Sequence, residues 1–240
     1  MANGAMGPEA ARFQPAMSAD IIISYDGTPN DDDALALGRL LERTGARLAL
    51  AYVRHMREYD PGREQLAHHD ASRRLEQGAA WLGKPDIPRH VVFSASTGEG
   101  LSQLAAAERA SMVVFGSDYR TPPGRVEPGG TAQHMLEGGP VAVAVAPAGL
   151  RADAEAPISF IAAFPEGEDP AVTETAEAVA SALGATVVSG DGHGAAQLLV
   201  VGSQPGAAAG RIALSGAMRS GLDRARSSVL VLPRGSVVRL

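Results

Sequence analysis

The sequence predicts an α/β fold: a doubly wound parallel sheet that occurs twice in the chain, with a trimmed second copy. Short apolar segments alternate with segments whose apolar residues recur at helical spacing, which is typical of a parallel sheet covered on both faces. A Gly-Ser strand, MVVFGS at 112–117, returns as LLVVGS at 198–203. In each copy a valine of a closing apolar run lies 27 positions after the glycine, Val143 in the first and Val229 in the second. Equal spacing of this kind indicates duplication.

Composition limits the class of protein. The chain has 240 residues, 45% of them hydrophobic and 20% charged, which is ordinary for a globular protein of one large domain or two small ones. A formal net charge of −6 argues against nucleic acid or an anionic membrane as a partner. The chain has no cysteine, so disulfides and thiolate metal sites are excluded. No apolar stretch reaches the length of a membrane span, and we expect no membrane partner.

Residues 1–20 have no apolar periodicity. They also lack the basic start and the following apolar core that a secretory signal has. We therefore expect a disordered N-terminal segment and a cytoplasmic protein.

The first unit is predicted to span residues 21–148. Its five predicted strands are 21–25, 48–53, 90–93, 112–116 and 141–146. Two helical faces are predicted from residues at intervals of three and four, which are Ala34, Leu37, Gly38 and Leu41, then Ala71, Leu75, Gly78 and Leu82. Thr97 is expected to cap a third helix that continues to residue 107.

The second unit is predicted to span residues 157–234, after a short polar linker at 148–156. It begins again with an apolar run at 158–164, followed by a helical face formed by Val172, Ala176, Val179 and Leu183. Between this run and the Gly-Ser glycine lie 53 fewer residues than in the first unit. The deficit equals about one helix, one strand and most of another helix, so we expect four strands. Pro165 is expected to stand where Asp26 stands in the first unit.

The segment ISYDGT at 23–28, the strand at 112–117 and the run VAVAVAP at 141–147 resemble the universal stress protein family. The resemblance covers residues 21–233 as a tandem pair. It implies a Rossmann-like fold with strand order 3-2-1-4-5, in a family that has ATP-binding and non-binding branches. It also implies that the two units pair through their last strands, since an exposed apolar edge strand is a liability. Further assembly into a homo-oligomer and the identity of any protein partner stay open.

The family's nucleotide loop reads Gly, two residues, Gly, nine residues, Gly, then Ser or Thr. Here Gly116 takes the first position, Tyr119 the second, and Gly129, Gly130 and Thr131 close the loop. Glycines let backbone N–H groups approach phosphate oxygens. A β-carbon at Tyr119 is expected to hinder a positive φ and to crowd the path of the phosphates.

By the same resemblance, Asp26 matches a nucleotide-contacting aspartate, and Val53 matches a residue whose backbone meets adenine. A turn residue that bonds its own backbone explains Asp26 equally well. The candidate binding residues are Asp26, Val53, Gly116, Gly129, Gly130 and Thr131. The implied ligand is ATP or another adenine nucleotide, with Mg²⁺ only as its companion.

No independent metal site is expected. Asp31, Asp32 and Asp33 are typical of a charged first helical turn. His68, His69 and Asp70 are consecutive on a helix, so their side chains diverge.

The second unit is expected to have lost the nucleotide site. Pro205 replaces the second glycine and removes a backbone donor, and Ser215-Gly216 inverts the final Gly-Ser pair.

Three hypotheses follow. The first is a universal stress response protein whose first unit binds an adenine nucleotide while the second is its structural partner. The second is an interaction module of the same fold that binds no nucleotide. The third is a slow nucleotide hydrolase, for which the sequence shows no nucleophile, base and orienting group together and no Walker-type lysine, so no catalytic residue is predicted.

Overall fold

Strands and helices alternate along the chain, as the apolar pattern predicts. The computed structural model describes residues 19–55, 60–189 and 194–240. The strands are β1 (Ile21–Ser24), β2 (Leu48–Arg54), β3 (Arg89–Phe93), β4 (Met112–Phe115), β5 (Ala142–Val145), β6 (Phe160–Phe164), β7 (Thr186–Val188), β8 (Leu198–Val201) and β9 (Ser228–Val231). The α-helices are α1 (Asp31–Glu42), α2 (Pro61–Leu82), α3 (Thr97–Glu108), α4 (Gly130–Leu136), α5 (Pro170–Leu183) and α6 (Gly216–Leu222), and a 3-10 helix spans Leu150–Asp153.

The nine strands form one sheet in the order β3-β2-β1-β4-β5-β9-β8-β6-β7. Neighbouring strands are parallel except β5 and β9, which are antiparallel. The first five strands have the predicted order 3-2-1-4-5, so the predicted fold is confirmed. Because the chain moves from β1 to β2 on one side and later to β4 on the other, a crevice opens at the carboxyl ends of β1 and β4.

The second unit has four strands in the described residues, β7-β6-β8-β9. The described residues between β7 and β8 contain no counterpart of α2, β3 and α3, which accounts for the shorter second copy.

The sheet register shows which residues of the two units correspond. Ile23 in β1 and Ala163 in β6 lie opposite equivalent valines of the two Gly-Ser strands. Asp26 and Glu166 each lie three residues further on, so they are counterparts. The prediction that Pro165 takes this place was wrong by one residue, because the first apolar run extends one residue beyond the end of β1.

Helices cover both faces of the sheet. Helices α1, α2 and α5 pack on one face, and α3, α4 and α6 pack on the other. The predicted helical faces are buried at Ala34, Leu37, Gly38, Leu41, Ala71, Leu75, Gly78, Leu82, Val172, Ala176 and Val179. Among the described helices, none combines the length and the hydrophobicity that a membrane span requires.

The two units meet where β5 and β9 pair through three residues of each strand. Beside this pair the units exchange equivalent backbone hydrogen bonds. The N–H of Val126 donates to the carbonyl of Ala225 at 3.2 Å, and the N–H of Ile212 donates to the carbonyl of Gly139 at 3.0 Å. Val126 and Ile212 hold equivalent places after the two Gly-Ser pairs, so the contacts are related by an approximate two-fold axis.

The start and the linker of the chain differ in part from expectation. Residues 1–18 of the segment predicted to be disordered lie outside the described residues. Asp20, in contrast, is paired with the guanidinium of Arg47 at 3.0 Å, and this hydrogen bond lowers the pKa of Asp20. The expectation of disorder was therefore wrong for Asp20, because a long-range ion pair holds it beside β2. The linker at 148–156 contains the 3-10 helix.

The start of α3 also differs from the prediction. Thr97 is the first helical residue, and Ser96 takes the cap position without a side-chain cap bond. The predicted cap at Thr97 was wrong because the hydroxyl of Thr97 contacts His55 instead.

Candidate functional site

A cavity of about 150 Å³ lies in the crevice at the carboxyl ends of β1 and β4. Five of the six candidate residues line it, and they are Asp26, Gly116, Gly129, Gly130 and Thr131. The lining also includes polar residues that the sequence did not single out, which are Ser24, Thr28, Ser117 and Asp118. Tertiary structure therefore assembles the cavity from three separate segments: the loop after β1, the loop after β4 and the start of α4.

Larger cavities of about 290 and 350 Å³ lie elsewhere. The first is beside the end of α3, and the second is between the ends of α1 and α2. Neither contains a candidate residue, so size alone does not identify the site.

Val53 does not line the crevice cavity. Its side chain is buried under α3, where a β-carbon at Gly100 would lie 3.2 Å from Val53 Cγ1. The structure therefore separates Val53 from the other five candidates, and its contact with adenine stays a prediction.

The loop between β1 and α1 is held by side chains of the two helices that follow it, α1 and α2. One carboxylate oxygen of Asp31 accepts from the N–H of Asp26 at 3.0 Å and from the N–H of Thr28 at 2.8 Å. Gly27 has a φ of +81°, which a residue with a side chain rarely adopts. Arg74 donates to the carbonyl of Asp26 at 2.7 Å. The backbone of the loop is thus hydrogen-bonded to protein side chains, whereas Asp26 itself is exposed at the cavity.

The cavity concentrates negative charge. Desolvation in the concave site and the neighbouring carboxylate of Asp31 raise the pKa of Asp26, against the opposing effect of Arg74. Desolvation also raises the pKa of Asp31. Asp118 adds a third carboxyl to the lining. An anionic ligand therefore needs a compensating positive charge at this site.

The aspartates at the start of α1 act separately. Asp32 accepts from the hydroxyl of Tyr25 at 3.3 Å, and the buried Asp33 accepts from the N–H groups of Gly149 and Arg151 at 2.9 and 2.8 Å. Because Asp31 bonds to the N–H groups of the preceding loop, the three carboxylates have three different sets of partners. Within residues 19–55, 60–189 and 194–240, no group of three metal-ligating side chains is present.

The glycines of the loop after β4 differ in whether the surrounding protein leaves room for a β-carbon. A β-carbon at Gly116 would overlap the carbonyl oxygen of Asn30, so close packing of the start of α1 requires glycine there. Gly129 meets only Asp118, with 3.9 Å between the β-carbon position and Oδ2, and Gly130 meets no atom within 4 Å. Neither has a positive φ. The surrounding described protein does not require glycine at 129 or 130, and the space beside them is open to a ligand.

The loop after β4 closes on itself through Ser117 and Asp118. The hydroxyl of Ser117 accepts from the N–H of Glu127 at 3.2 Å, and the N–H of Asp118 donates to the carbonyl of Glu127 at 2.8 Å. Asp118 also accepts from the N–H of Arg120 at 3.0 Å through its side chain. The loop therefore has a defined turn before it reaches the glycines.

The same turn determines the backbone conformation of Tyr119. Tyr119 has no positive φ, its side chain is 61% exposed, and its ring stacks with the guanidinium of Arg120 at 4.9 Å. Asp118 turns the chain without a left-handed residue, which agrees with the expectation that the β-carbon of Tyr119 hinders a positive φ. The expected crowding of the phosphate path by Tyr119 stays a prediction. Tyr119 lies at the cavity, whereas Arg120 and Arg125 are not part of its lining.

The equivalent place in the second unit is filled by protein atoms. Ser215 is the N-cap residue of α6, the position that Gly129 takes before α4. The hydroxyl of Ser215 is hydrogen-bonded to the carboxylate of Glu166. Pro205 packs against Gly167, where a β-carbon would lie 2.8 Å from Pro205 Cγ. The counterpart of Asp26 therefore bonds inside its own unit.

One polar contact near the sheet's carboxyl edge was missed by sequence reasoning. His55 and Thr97 are in hydrogen-bond contact, although 42 residues separate them. No local pattern relates residues so far apart. Asp118 was missed too, although its position directly after the Gly-Ser pair could have indicated it.

Comparisons with known proteins agree with this architecture. The model of the universal stress protein family matches residues 17–147, which is more than half of the chain. No curated protein matches the chain. The structure of a universal stress protein from Archaeoglobus fulgidus DSM 4304 has a TM-score of 0.67 and 16% identity, over 90% of this chain and 99% of that chain. A putative universal stress protein from Pseudomonas aeruginosa UCBPP-PA14 has a TM-score of 0.60 and 15% identity, over 91% of this chain and 95% of that chain. These structures share the fold, and the family match shows that the chain belongs to the universal stress protein family.

Proposed function

We propose that the first unit binds an adenine nucleotide such as ATP in the crevice cavity, and that the second unit is its structural partner. One observation carries the proposal: the residues that resemble the family's nucleotide loop and strand end line a single cavity. Gly129 and Gly130 support it further, because nothing in the described protein explains them as glycine. Ligand oxygens can approach the backbone N–H groups at these positions.

The second unit supports a single site per chain. Glu166 and Ser215 bond to each other where the first unit has an exposed aspartate and a glycine. Pro205 further fills this place. A nucleotide would have to displace these internal contacts, whereas in the first unit it enters open space.

Mg²⁺ is proposed as the companion of the nucleotide. Asp26, Asp31 and Asp118 would repel a free triphosphate, and carboxylate oxygens are the ligands that Mg²⁺ prefers. Asp26 and Asp118 suit such an ion best, because Asp31 is already bonded to two backbone N–H groups. The cation would neutralise charge between protein and phosphates.

The alternative is an interaction module that binds no nucleotide. The three carboxyls of the cavity and the exposed ring of Tyr119 favour it, since together they suit a basic or aromatic partner surface. Nucleotide binding requires the open space beside Gly130, whereas the interaction module does not.

Calorimetry with ATP and Mg²⁺, together with mass spectrometry of nucleotide released from the purified protein, tests the proposal. Gly130→Val should abolish binding by filling the cavity. Gly216→Val is a matched control, because both glycines begin a seven-residue helix and neither would place a β-carbon within 4 Å of another atom. The control and Pro205→Gly should both bind as the wild type does.

Two results would overturn the proposal. One is the absence of both released nucleotide and binding heat in the wild type. The other is an equal effect of Gly130→Val and Gly216→Val, because a single site in the first unit requires a difference.

A further inference from the structure

A hydroxyl and an imidazole are in contact between the end of β2 and the start of α3. Thr97 Oγ1 lies 3.0 Å from His55 Nε2, and His55 Nδ1 lies 3.1 Å from the carbonyl oxygen of Ser94. A carbonyl oxygen can only accept, so Nδ1 carries the proton. In the neutral ring, Nε2 then accepts from the hydroxyl of Thr97. The order hydroxyl, imidazole and orienting acceptor is that of an activated nucleophile.

The backbone holds these groups in place. The N–H of Ser94 donates to the carbonyl of Arg54 at 3.1 Å, which extends the β2–β3 pairing to the residue that orients His55. Helix α3 packs directly on this point, because a β-carbon at Gly100 would lie 2.9 Å from Ser94 Cβ. Thr97 is the first residue of α3. Strand ends and a helix start therefore position the pair.

The surroundings of Thr97 can stabilise a developing negative charge. Within the described chain, the N–H groups of Gly98 and Glu99 in the first turn of α3 have no hydrogen-bond acceptor. A twelve-residue helix also places its positive end here. His55 is exposed and Thr97 is half-buried, so a small molecule can reach both.

We propose that Thr97 Oγ1 is a nucleophile that accepts an acyl group from activated esters, with His55 as its general base. The Thr97 oxygen attacks the acyl carbon while its proton passes to Nε2. The N–H groups of Gly98 and Glu99 stabilise the oxyanion of the tetrahedral intermediate. When the intermediate collapses, the ester bond to the leaving group breaks, the alcohol or phenol leaves with the proton, and an acyl ester of Thr97 remains. Water hydrolyses this ester in a second step.

Charge at this edge favours acyl over phosphoryl transfer. The tetrahedral intermediate of acyl transfer carries one negative oxygen, which two N–H donors can accept. A phosphoryl group carries more negative oxygens, and these would meet the acidic side chain of Glu99 in the first turn of α3. The carboxyl of Asp26, which is within electrostatic range of His55, adds to this repulsion.

The test uses p-nitrophenyl acetate and the full-length protein. Release of p-nitrophenolate is followed by absorbance, and the acetyl group is located by peptide mass spectrometry. In the wild type the acetyl group should be found on Thr97. His55→Gln should slow acetylation of this residue about 100-fold, the usual scale of general-base catalysis. Thr97→Val should abolish it, and Thr97→Ser should restore it.

His68→Gln is the matched control, because His68 is an exposed histidine on α2 and should leave the rate unchanged. Circular dichroism verifies that each variant is folded. If Thr97→Val does not fold, acetylation of Thr97→Ser at residue 97 still tests the proposal. Acetylation of other residues only, or equal rates in the wild type and His55→Gln, would overturn the proposal. The probe contains no nucleotide, so a failure of ATP binding would not affect the result.

Discussion

The hydroxyl of Ser117 donates a hydrogen bond to the carbonyl oxygen of Ala146, with 2.7 Å between the two oxygens. The second unit repeats this contact between Ser203 and Leu232, also at 2.7 Å. The serine of each repeated Gly-Ser pair thus ties the end of its strand, β4 in the first unit and β8 in the second, to the residue after the last strand of the same unit. The repeated motif is a structural contact that both units retain, whether or not they keep a ligand site.

This relationship predicts equal costs for two substitutions. Ser117→Ala and Ser203→Ala should each lower the free energy of unfolding by about 1–3 kcal/mol, because each leaves buried backbone groups without a partner. Urea denaturation measures both values. A neutral result for Ser203→Ala beside a costly Ser117→Ala would show that the serine has a structural role in the first unit only.

Alanine at the loop glycines should separate a packing role from a ligand role. Gly116→Ala should destabilise the protein by about 1–3 kcal/mol, because its β-carbon would overlap the carbonyl of Asn30. Gly129→Ala should change stability by less than about 0.5 kcal/mol, since its β-carbon would meet no atom closer than 3.9 Å. Thermal and urea denaturation test this difference, and equal losses would contradict it.

Asp33 should be the most important of the three consecutive aspartates for stability. Its buried carboxylate accepts from two backbone N–H groups of the linker and pairs with Arg151 at 2.8 Å. Asp33→Ala should lower the free energy of unfolding by about 3 kcal/mol, because the two N–H groups and Arg151 lose the buried carboxylate that they contact. Asp32→Ala, whose hydrogen bond to Tyr25 is longer at 3.3 Å, should cost less in the same denaturation experiment. The reverse order would refute the assigned roles.

The pH dependence of stability should reveal the acidic cavity. The pKa of Asp26 in the folded protein is raised above the ordinary value of 3.8 that applies when the chain is unfolded. The folded state thus binds this proton more tightly, and the resulting stability is complete below pH 3.8 and is lost as the pH rises through the folded pKa. Asp26→Asn should therefore increase the free energy of unfolding at pH 7. The gain should shrink towards pH 4, and denaturation at both values measures it.

Much of the architecture could be predicted because it depends on local patterns. The apolar spacing of Leu37, Leu75 and Val179 indicated three buried helical faces, and all three residues are buried. The register was less accessible, because the end of an apolar run and the end of a hydrogen-bonded strand need not coincide. Glu166 was therefore missed as the counterpart of Asp26.

The residues of the candidate site could be predicted from the sequence, but their packing and backbone conformation could not. The resemblance to the family's nucleotide loop selected Gly116, Gly129 and Gly130 together, yet only the packing against Asn30 shows that the fold requires glycine at 116. Tyr119 was expected to hinder a positive φ, and only the structure shows that the turn formed by Asp118 needs none there.

The sequence by itself determined the duplicated α/β fold and the order of its elements along the chain, because periodicity and spacing act over short stretches of chain. Its resemblance to a known family indicated the five residues that line one cavity. Only the tertiary structure decided that the first cavity is open while Glu166 and Ser215 close the second. It alone brought His55 to Thr97. These outcomes depend on contacts between residues distant in sequence, and such contacts are set by how strands and helices pack.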